Sequence, residues 1–581
     1  KRLYLATLLE DLGRGFRDPR IYLTLGAALV LWAAAYQHKR EYTVQVADLG
    51  YHPYITGFND VERSTTDPPF DYRWSKSSPE IEFPGIGNQP VEVVLTTMGA
   101  RPDGDPPAVV WTARGEEFEL QTQPQVHTDT FFLDRGSDPL DGDLRLAFEV
   151  PTFTPRGDPR ELGVIIRSVT VRPADYGLRP FVVPPLYVLL GLLAGLAGTY
   201  ALFLISGLSR ALALVSTWLL VILSTLGILL VRPDTALLAA NLPSLMAWAL
   251  PLAAHARLAL SRLLSSAGGP QSAIAWGTLA FALIFVIRFG GLTYPQFLTS
   301  DLLLHVHNAQ EVIAGKWVFT EPLPDGRLVP YPPAYYLLIA GLSPLTGASD
   351  EGLGMAFKWT ASLLDALTCL GLAWAASRLW PRHGHLAGSF AALAYLASPG
   401  ALDLFSAGNY TNLFGQSMLN LTLLGALVYI SGHRPAGRWV PLLPAVGFFL
   451  TMLGHYSMLL ATLVIMFLFA VSIAIFHRSN AHGKRSWAVL GAYGSAVVGG
   501  FALYYWRFLE VIGAQFGDVL GRLLGQRPVA TPASQAPGLL DSLLKLPGKV
   551  VQLLGGLLAI STGYGSALLS RRLGAVRALI F

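Results

Sequence analysis

Charge is what this chain has least of. Lys, Arg, Asp and Glu make up 14% of its 581 residues and apolar side chains 52%, whereas an ordinary soluble domain carries roughly 25% charge. That shortage, with a mean hydropathy of +0.45, excludes the soluble globular class and marks a polytopic membrane protein. Cysteine is almost missing too. Cys369 is the single thiol, so no intrachain disulfide can brace an extracytoplasmic domain, which must stand on its own core. The net charge of +4 and pI near 9.0 come mainly from Arg placed between hydrophobic runs, a pattern that orients membrane helices and points away from nucleic acid. The chain starts at Lys1 without an initiator Met and stops at Phe581 in an apolar run, so both natural ends are expected to lie beyond it.

Residues 1–40 read as a cytoplasmic amphipathic segment and a membrane anchor. Lys1, Arg2, Arg14, Arg17 and Arg20 precede the apolar run 21–36, which places the start inside the cell. No small-residue cleavage site follows Tyr36, so the run is not a removable leader. From 41 to 180 short alternating runs are separated by Gly, Pro and Asp clusters, the pattern of an extracytoplasmic all-β sandwich, jelly-roll-like. Its Tyr72, Trp74, Phe83 and Trp111 fill the sandwich core, rest on the membrane or form a sugar-stacking face, and the sequence leaves open whether the domain takes a glycan, a protein or no partner. Asp60 and Glu62 fall in one loop, too few acids to define a calcium site.

Beyond residue 181 the chain is almost wholly hydrophobic helix. Accessory spans near 184–206, 211–231 and 236–256 precede a core at 273–510, with further spans near 273–293, 357–379, 386–402, 413–432, 439–453, 456–476 and 487–508. A last span near 548–568 follows an outer amphipathic segment and loop within 511–581. With the first helix the total is about twelve, each close to the roughly 20 residues a bilayer demands. The segment 332–345 is assigned to the outer surface instead. Were it to cross, Arg378 and Arg382 would fall outside and Asp350 and Glu351 inside, against the charge rule.

The chemistry concentrates between Tyr294 and Gly347. Asp301, His305, His307 and Glu311 follow directly on a hydrophobic helix, and Asp301, His305 and Asn308 share one helical face. A carboxylate at a membrane surface is costly unless it is used. His305 can hydrogen-bond that carboxylate, or the two can hold a divalent metal with one further ligand.

An outward-running helix, an Asp in the first long outer loop, an amphipathic segment ending Gly315-Lys-Trp317 and the outer helix at Tyr331-Pro-Pro-Ala-Tyr-Tyr336 together resemble the core module of GT-C superfamily membrane glycosyltransferases. The resemblance covers roughly 273–510 and is strongest over 294–347. It implies a sugar donor on a polyprenyl phosphate at the outer face of a prokaryotic plasma membrane, with Asp301 as general base or acceptor-orienting acid. The carrier phosphate needs cations at the outer boundary, where Arg288 and Arg507 are placed. Tyr335, Asn409, Asn412 and His455 are the further candidates for substrate contact. Metal-dependent members carry paired acids where this chain has Asn409 and Asn412, after Asp403. That difference keeps open an alternative: a non-catalytic subunit or scaffold working through its β domain.

Overall fold

The structure is a computed structural model. It describes residue 10, residues 12–514 and residue 517, less 65–68, 102–104, 175–180, 266–269, 295–298, 323–327, 399–404, 433–441, 477–480 and the single positions 100, 139, 300, 406 and 407. The chain divides into two compact units, 1–250 with 293–297, and 251–292 with 298–581.

The first unit opens with α1 (Pro19–Tyr36), started by Asp18, whose carboxylate accepts the Arg20 amide at 3.0 Å, and by a proline that needs no amide partner there. The strands follow: β1 (Tyr42–Gln45), β2 (Ile55–Phe58), β3 (Glu62–Arg63), β4 (Asp71–Tyr72), β5 (Ser75–Phe83), β6 (Val91–Met98), β7 (Ala108–Ala113), β8 (Glu116–Gln121), β9 (His127–Leu133), β10 (Leu144–Glu149) and β11 (Ile165–Pro173). One antiparallel sheet runs β1-β11-β6-β9 and another β2-β5-β10-β7-β8, with a small β3-β4 ribbon beside them. Alternation decides which side is inside: along β6, Val91, Val93, Leu95 and Thr97 are buried and the residues between them are half-buried. Both sheets feed one core, including Ile81, Phe83, Val93, Trp111, Phe148 and Val169. Phe83 and Trp111 are therefore core residues. Tyr72 and Trp74 remain half-buried and meet edge to face at 6.3 Å. Glu62 is spent on Arg160 at 2.7 Å and on the Tyr72 hydroxyl at 3.1 Å.

Three helices complete this unit's chain: α2 (Leu186–Ser206), α3 (Arg210–Leu230) and α4 (Arg232–Leu264), the last running on past the division. Arg232 is the fastening. Its buried guanidinium donates to the carbonyls of Ile86 at 3.2 Å, Ala35 at 3.1 Å and His38 at 3.1 Å, and lies 4.4 Å from the Tyr36 ring centre. It thus satisfies carbonyls at the end of α1 while gripping the β domain, a job that suits a cation at a helix C-terminus. Arg232→Met keeps the stem and removes the donors. The expected loss is about 3 kcal/mol, since hydrogen bonds to charged groups are each worth roughly 1.5–3 and do not add fully. A lowered melting midpoint in detergent would show it, and an unchanged one would dismiss the clamp.

The second unit contains α5 (Gln271–Leu292), α6 (Leu302–Ile313), the hairpin β12 (Phe319–Pro322) and β13 (Leu328–Tyr331), α7 (Ala334–Thr346), α8 (Asp350–Leu379), α9 (Gly384–Leu396), α10 (Tyr410–Ile430), α11 (Leu442–Met452), α12 (Tyr456–Phe476) and α13 (Ala481–Leu503). Small residues let its helices approach. A Cβ on Gly388 would stand 2.1 Å from the Ser377 hydroxyl and 2.8 Å from the Ala373 carbonyl, so α9 can meet α8 only with glycine there.

Among the described residues nine helices are long and apolar enough to cross a membrane: α1 to α5, α8, α10, and the described parts Tyr456–Ala474 of α12 and Gly483–Leu503 of α13. Their surfaces agree with that environment. On α3, Val215, Leu219, Ile222 and Leu226 form an exposed apolar stripe, and on α12 Val464, Phe467, Leu468 and Val471 do the same. Water would penalise both stripes, but lipid does not. The expected spans at 386–402 and 439–453 appear as α9 and α11, of 13 and 11 residues, about 20 and 16 Å at 1.5 Å per residue against a core of about 30 Å. Hydropathy overran the first, because the chain turns at Ser398, whose amide donates to the Tyr395 carbonyl at 3.1 Å; the second ends within a residue of the expected 453, and its expected start at 439–441 lies outside the described residues. The segment expected on the outer surface forms α7, a 13-residue helix too short to cross alone. The amphipathic piece after 517 and the span at 548–568 lie outside the described residues.

Candidate functional site

Asp301 stands at the N-cap of α6, yet its side chain makes no capping bond to that helix. The carboxylate is thus not consumed by the helix start, the ordinary use of Asp at such a position. α6 is amphipathic: Leu302, His305, Val306, Asn308, Ala309 and Val312 are buried, while Leu303 and His307 are exposed. His307 therefore lies off the buried face. Glu311 pairs with Lys316 at 2.6 Å at the far end of α6.

His305 has no exposed surface. Rings surround it at 5.8–6.1 Å between centres: Tyr331 from β13, Tyr336 from α7, Phe357 from α8 and Tyr410 from α10. Its Nδ1 meets the Tyr336 hydroxyl at 2.9 Å, and the Asn308 amide donates to the same hydroxyl at 3.2 Å. Sequence reasoning singled out Tyr335 from the Tyr-Tyr pair, but Tyr336 is the one that enters the site. Tyr335 is fully buried, stacks on Phe414 at 4.9 Å, and hydrogen-bonds Thr360 at 2.7 Å, pinning α7 to α8 and α10. Burial pushes His305 down to about 4, partly opposed by the Gly408 backbone.

His455 lies between α11 and α12. Its ring meets Tyr331 edge-on at 5.8 Å, and its Nδ1 contacts the Ser457 hydroxyl at 2.8 Å and amide at 3.2 Å. Tyr331 thus stands between the two imidazoles. Burial and the neighbouring His305 push His455 down to about 4, against the pull of the Asp301 carboxylate. Both histidines are neutral in the folded state down to that point, whereas an unfolded His charges near 6.5. The stability they lend is present in full above pH 6.5 and is lost as pH falls toward about 4, by about 1.4 kcal/mol per unit for each group. The expected result is a melting midpoint that declines across that window and does so less steeply in His305→Asn.

The remaining candidates divide. Asn409 caps α10, its side chain accepting the Asn412 amide at 3.4 Å, and Asn412 accepts from Gln416 at 3.4 Å. The preceding Gly408 has φ +71, and a Cβ there would stand 2.0 Å from the Thr299 hydroxyl, so only glycine lets the two loops meet. Arg288 is turned to Asp365 of α8, 3.2 Å away, with both side chains about 5% exposed or less, and it lies 5.4 Å from the Phe405 ring centre. Tyr395 donates to the other Asp365 oxygen. Arg507 is exposed beside Trp506 at 5.4 Å. Its neighbour Tyr504 donates to the Tyr331 carbonyl at 2.7 Å, tying that corner to the site. Asp403 lies outside the described residues.

Sequence reasoning missed three things. Residues 319–322 pair antiparallel with 328–331, Phe319 opposite Tyr331; Phe319, Thr320, Val329 and Tyr331 were the available β signal. Tyr331 and Tyr336 carry ring contacts that spacing alone does not reveal. Ser457 stands two residues from His455. As for a metal, the described residues contain no group of three or more His, Cys, Asp or Glu able to hold one.

No protein-family model matches this chain, and no curated protein and no solved structure matches it either.

Proposed function

We propose that the chain is an integral membrane glycosyltransferase of GT-C type, moving a sugar from a polyprenyl phosphate to an acceptor at the extracytoplasmic face. The observation that carries this reading is Asp301: a carboxylate that does not cap its own helix, close enough to a neutral, half-buried histidine to act on it, and backed by a ring-lined His305. In transfer the acceptor hydroxyl attacks the anomeric carbon as the bond to the carrier phosphate breaks, and Asp301 takes the hydroxyl proton. Arg507 is the better phosphate ligand of the two arginines, because Arg288 is held by Asp365. Asn412 and His455 contact substrate, and the prenyl tail lies against apolar helix faces.

The finer arrangement belongs to the same reading. The positive loops favour an N-terminus in the cytoplasm and a β domain outside, and the transferase reading implies a prokaryotic plasma membrane. The reading carries about twelve crossings, of which nine are helices long and apolar enough among the described residues. A jelly-roll reading of the β domain is supported by strand order, since β5 to β11 repeatedly change sheet and β1-β11-β6-β9 faces β5-β10-β7-β8.

One observation favours a second reading, a non-catalytic membrane scaffold. Arg288, Tyr335 and Asn409 all serve structure. Lipids copurifying with the protein should be identified by mass spectrometry, and wild type and Asp301→Asn compared for turnover of any polyprenyl-phosphate sugar found. A carrier consumed by wild type alone supports the transferase. No carrier, and no consumption by either, leaves the scaffold.

A further inference from the structure

The protonation pattern of His455 is written in its contacts. The Ser457 backbone N–H points at Nδ1 from 3.2 Å. An amide can only donate, so Nδ1 must present its lone pair, and the Ser457 hydroxyl at 2.8 Å is then a second donor to the same nitrogen. In a neutral ring the proton is left on Nε2, which no described residue bonds. The surroundings keep the ring neutral: Tyr331 of β13 covers one side, and of the charged or titratable groups on α6, His305 opposes protonation and Asp301 favours it, with burial the larger influence. A neutral imidazole with one fixed donor nitrogen suits an anionic oxygen. It offers a hydrogen bond without offering a proton that the adjacent Asp301 would trap in an ion pair.

We propose that His455 meets substrate as a neutral donor, giving its Nε2–H to a phosphate oxygen, and that Ser457 is the positioning residue that fixes this tautomer. The proposal rests on the transferase reading for the identity of the phosphate, which is that of a polyprenyl phosphate. It changes the role of His455 from acceptor contact to leaving-group contact. Removing one hydrogen bond to a charged group is expected to lower kcat/KM about 10- to 100-fold. His455→Gln, whose amide can still donate, should retain more than His455→Ala. Ser457→Ala keeps the backbone donor and should lose less than either.

The deciding measurement is nitrogen-15 NMR of the full chain in lipid nanodiscs, with histidine labelled and the His455→Gln spectrum subtracted. The expected signal has Nδ1 bare and Nε2 protonated, stays unchanged from pH 8 to 5, and shifts at Nε2 when polyprenyl phosphate is incorporated. In Ser457→Ala the opposite tautomer should appear alongside. A proton on Nδ1, a titration near 6.5, or no response to polyprenyl phosphate or to inorganic phosphate overturns the proposal. A shift with inorganic phosphate of the same size supports the phosphate contact and removes the need for a lipid. If wild type turns over no polyprenyl-phosphate sugar while Nε2 still responds to the carrier, the transferase reading fails and the phosphate contact stands.

Discussion

Asp301→Asn is expected to lower turnover of a polyprenyl-phosphate sugar by about 10²- to 10⁴-fold, the usual worth of a placed proton-transfer group. The substitution is nearly isosteric, and the amide still accepts hydrogen bonds but cannot take the acceptor's proton. The Asp301 side chain does not cap α6, so the substitution takes no cap from that helix. That separates this site from Asn409, which does cap its helix and whose loss would be expected to cost stability as well. The rate must therefore be read beside a melting curve. A variant that melts like wild type and turns over slowly identifies the base. One that does both normally removes Asp301 from the mechanism. A change in KM with kcat preserved would make Asp301 a binding group instead.

Much of this layout was legible from residue type and period. Apolar runs near 20 residues marked most of the spans, and strict alternation such as Val91, Val93 and Leu95 marked strands with one face inward. Asp301, His305 and Asn308 were assigned to one helical face by spacing, and His305 and Asn308 meet at one hydroxyl. What could not be read were the partners. Arg232 bonds carbonyls nearly two hundred residues away, Tyr336 bonds a histidine 31 residues before it, and Arg288 finds Asp365 77 residues on. Such pairings are set by helix packing, which one chain's pattern does not encode. Helix ends were the other loss. The run at 386–402 stays apolar through the turn at Ser398, so hydropathy carried it beyond the helix that forms.

The pair buried between α5 and α8 gives the other large expectation. Asp365→Leu should destabilise the protein by about 3–5 kcal/mol, because it strands the Arg288 guanidinium in an apolar interior. Removing both charges, with Tyr395→Phe so that its hydroxyl is not orphaned in turn, should return most of that loss, since a buried pair seldom outweighs well-packed apolar groups of similar volume. Melting of Asp365→Leu and of the triple variant Arg288→Met, Asp365→Leu, Tyr395→Phe measures the difference. The same triple variant tests function. If Arg288 serves only Asp365, a well-folded triple variant should retain turnover, leaving the carrier phosphate to Arg507 and His455. If its melting recovers while turnover disappears, Arg288 reaches the phosphate as well, and Asp365 then acts to aim it, because a guanidinium carries five donors and this carboxylate occupies only some of them.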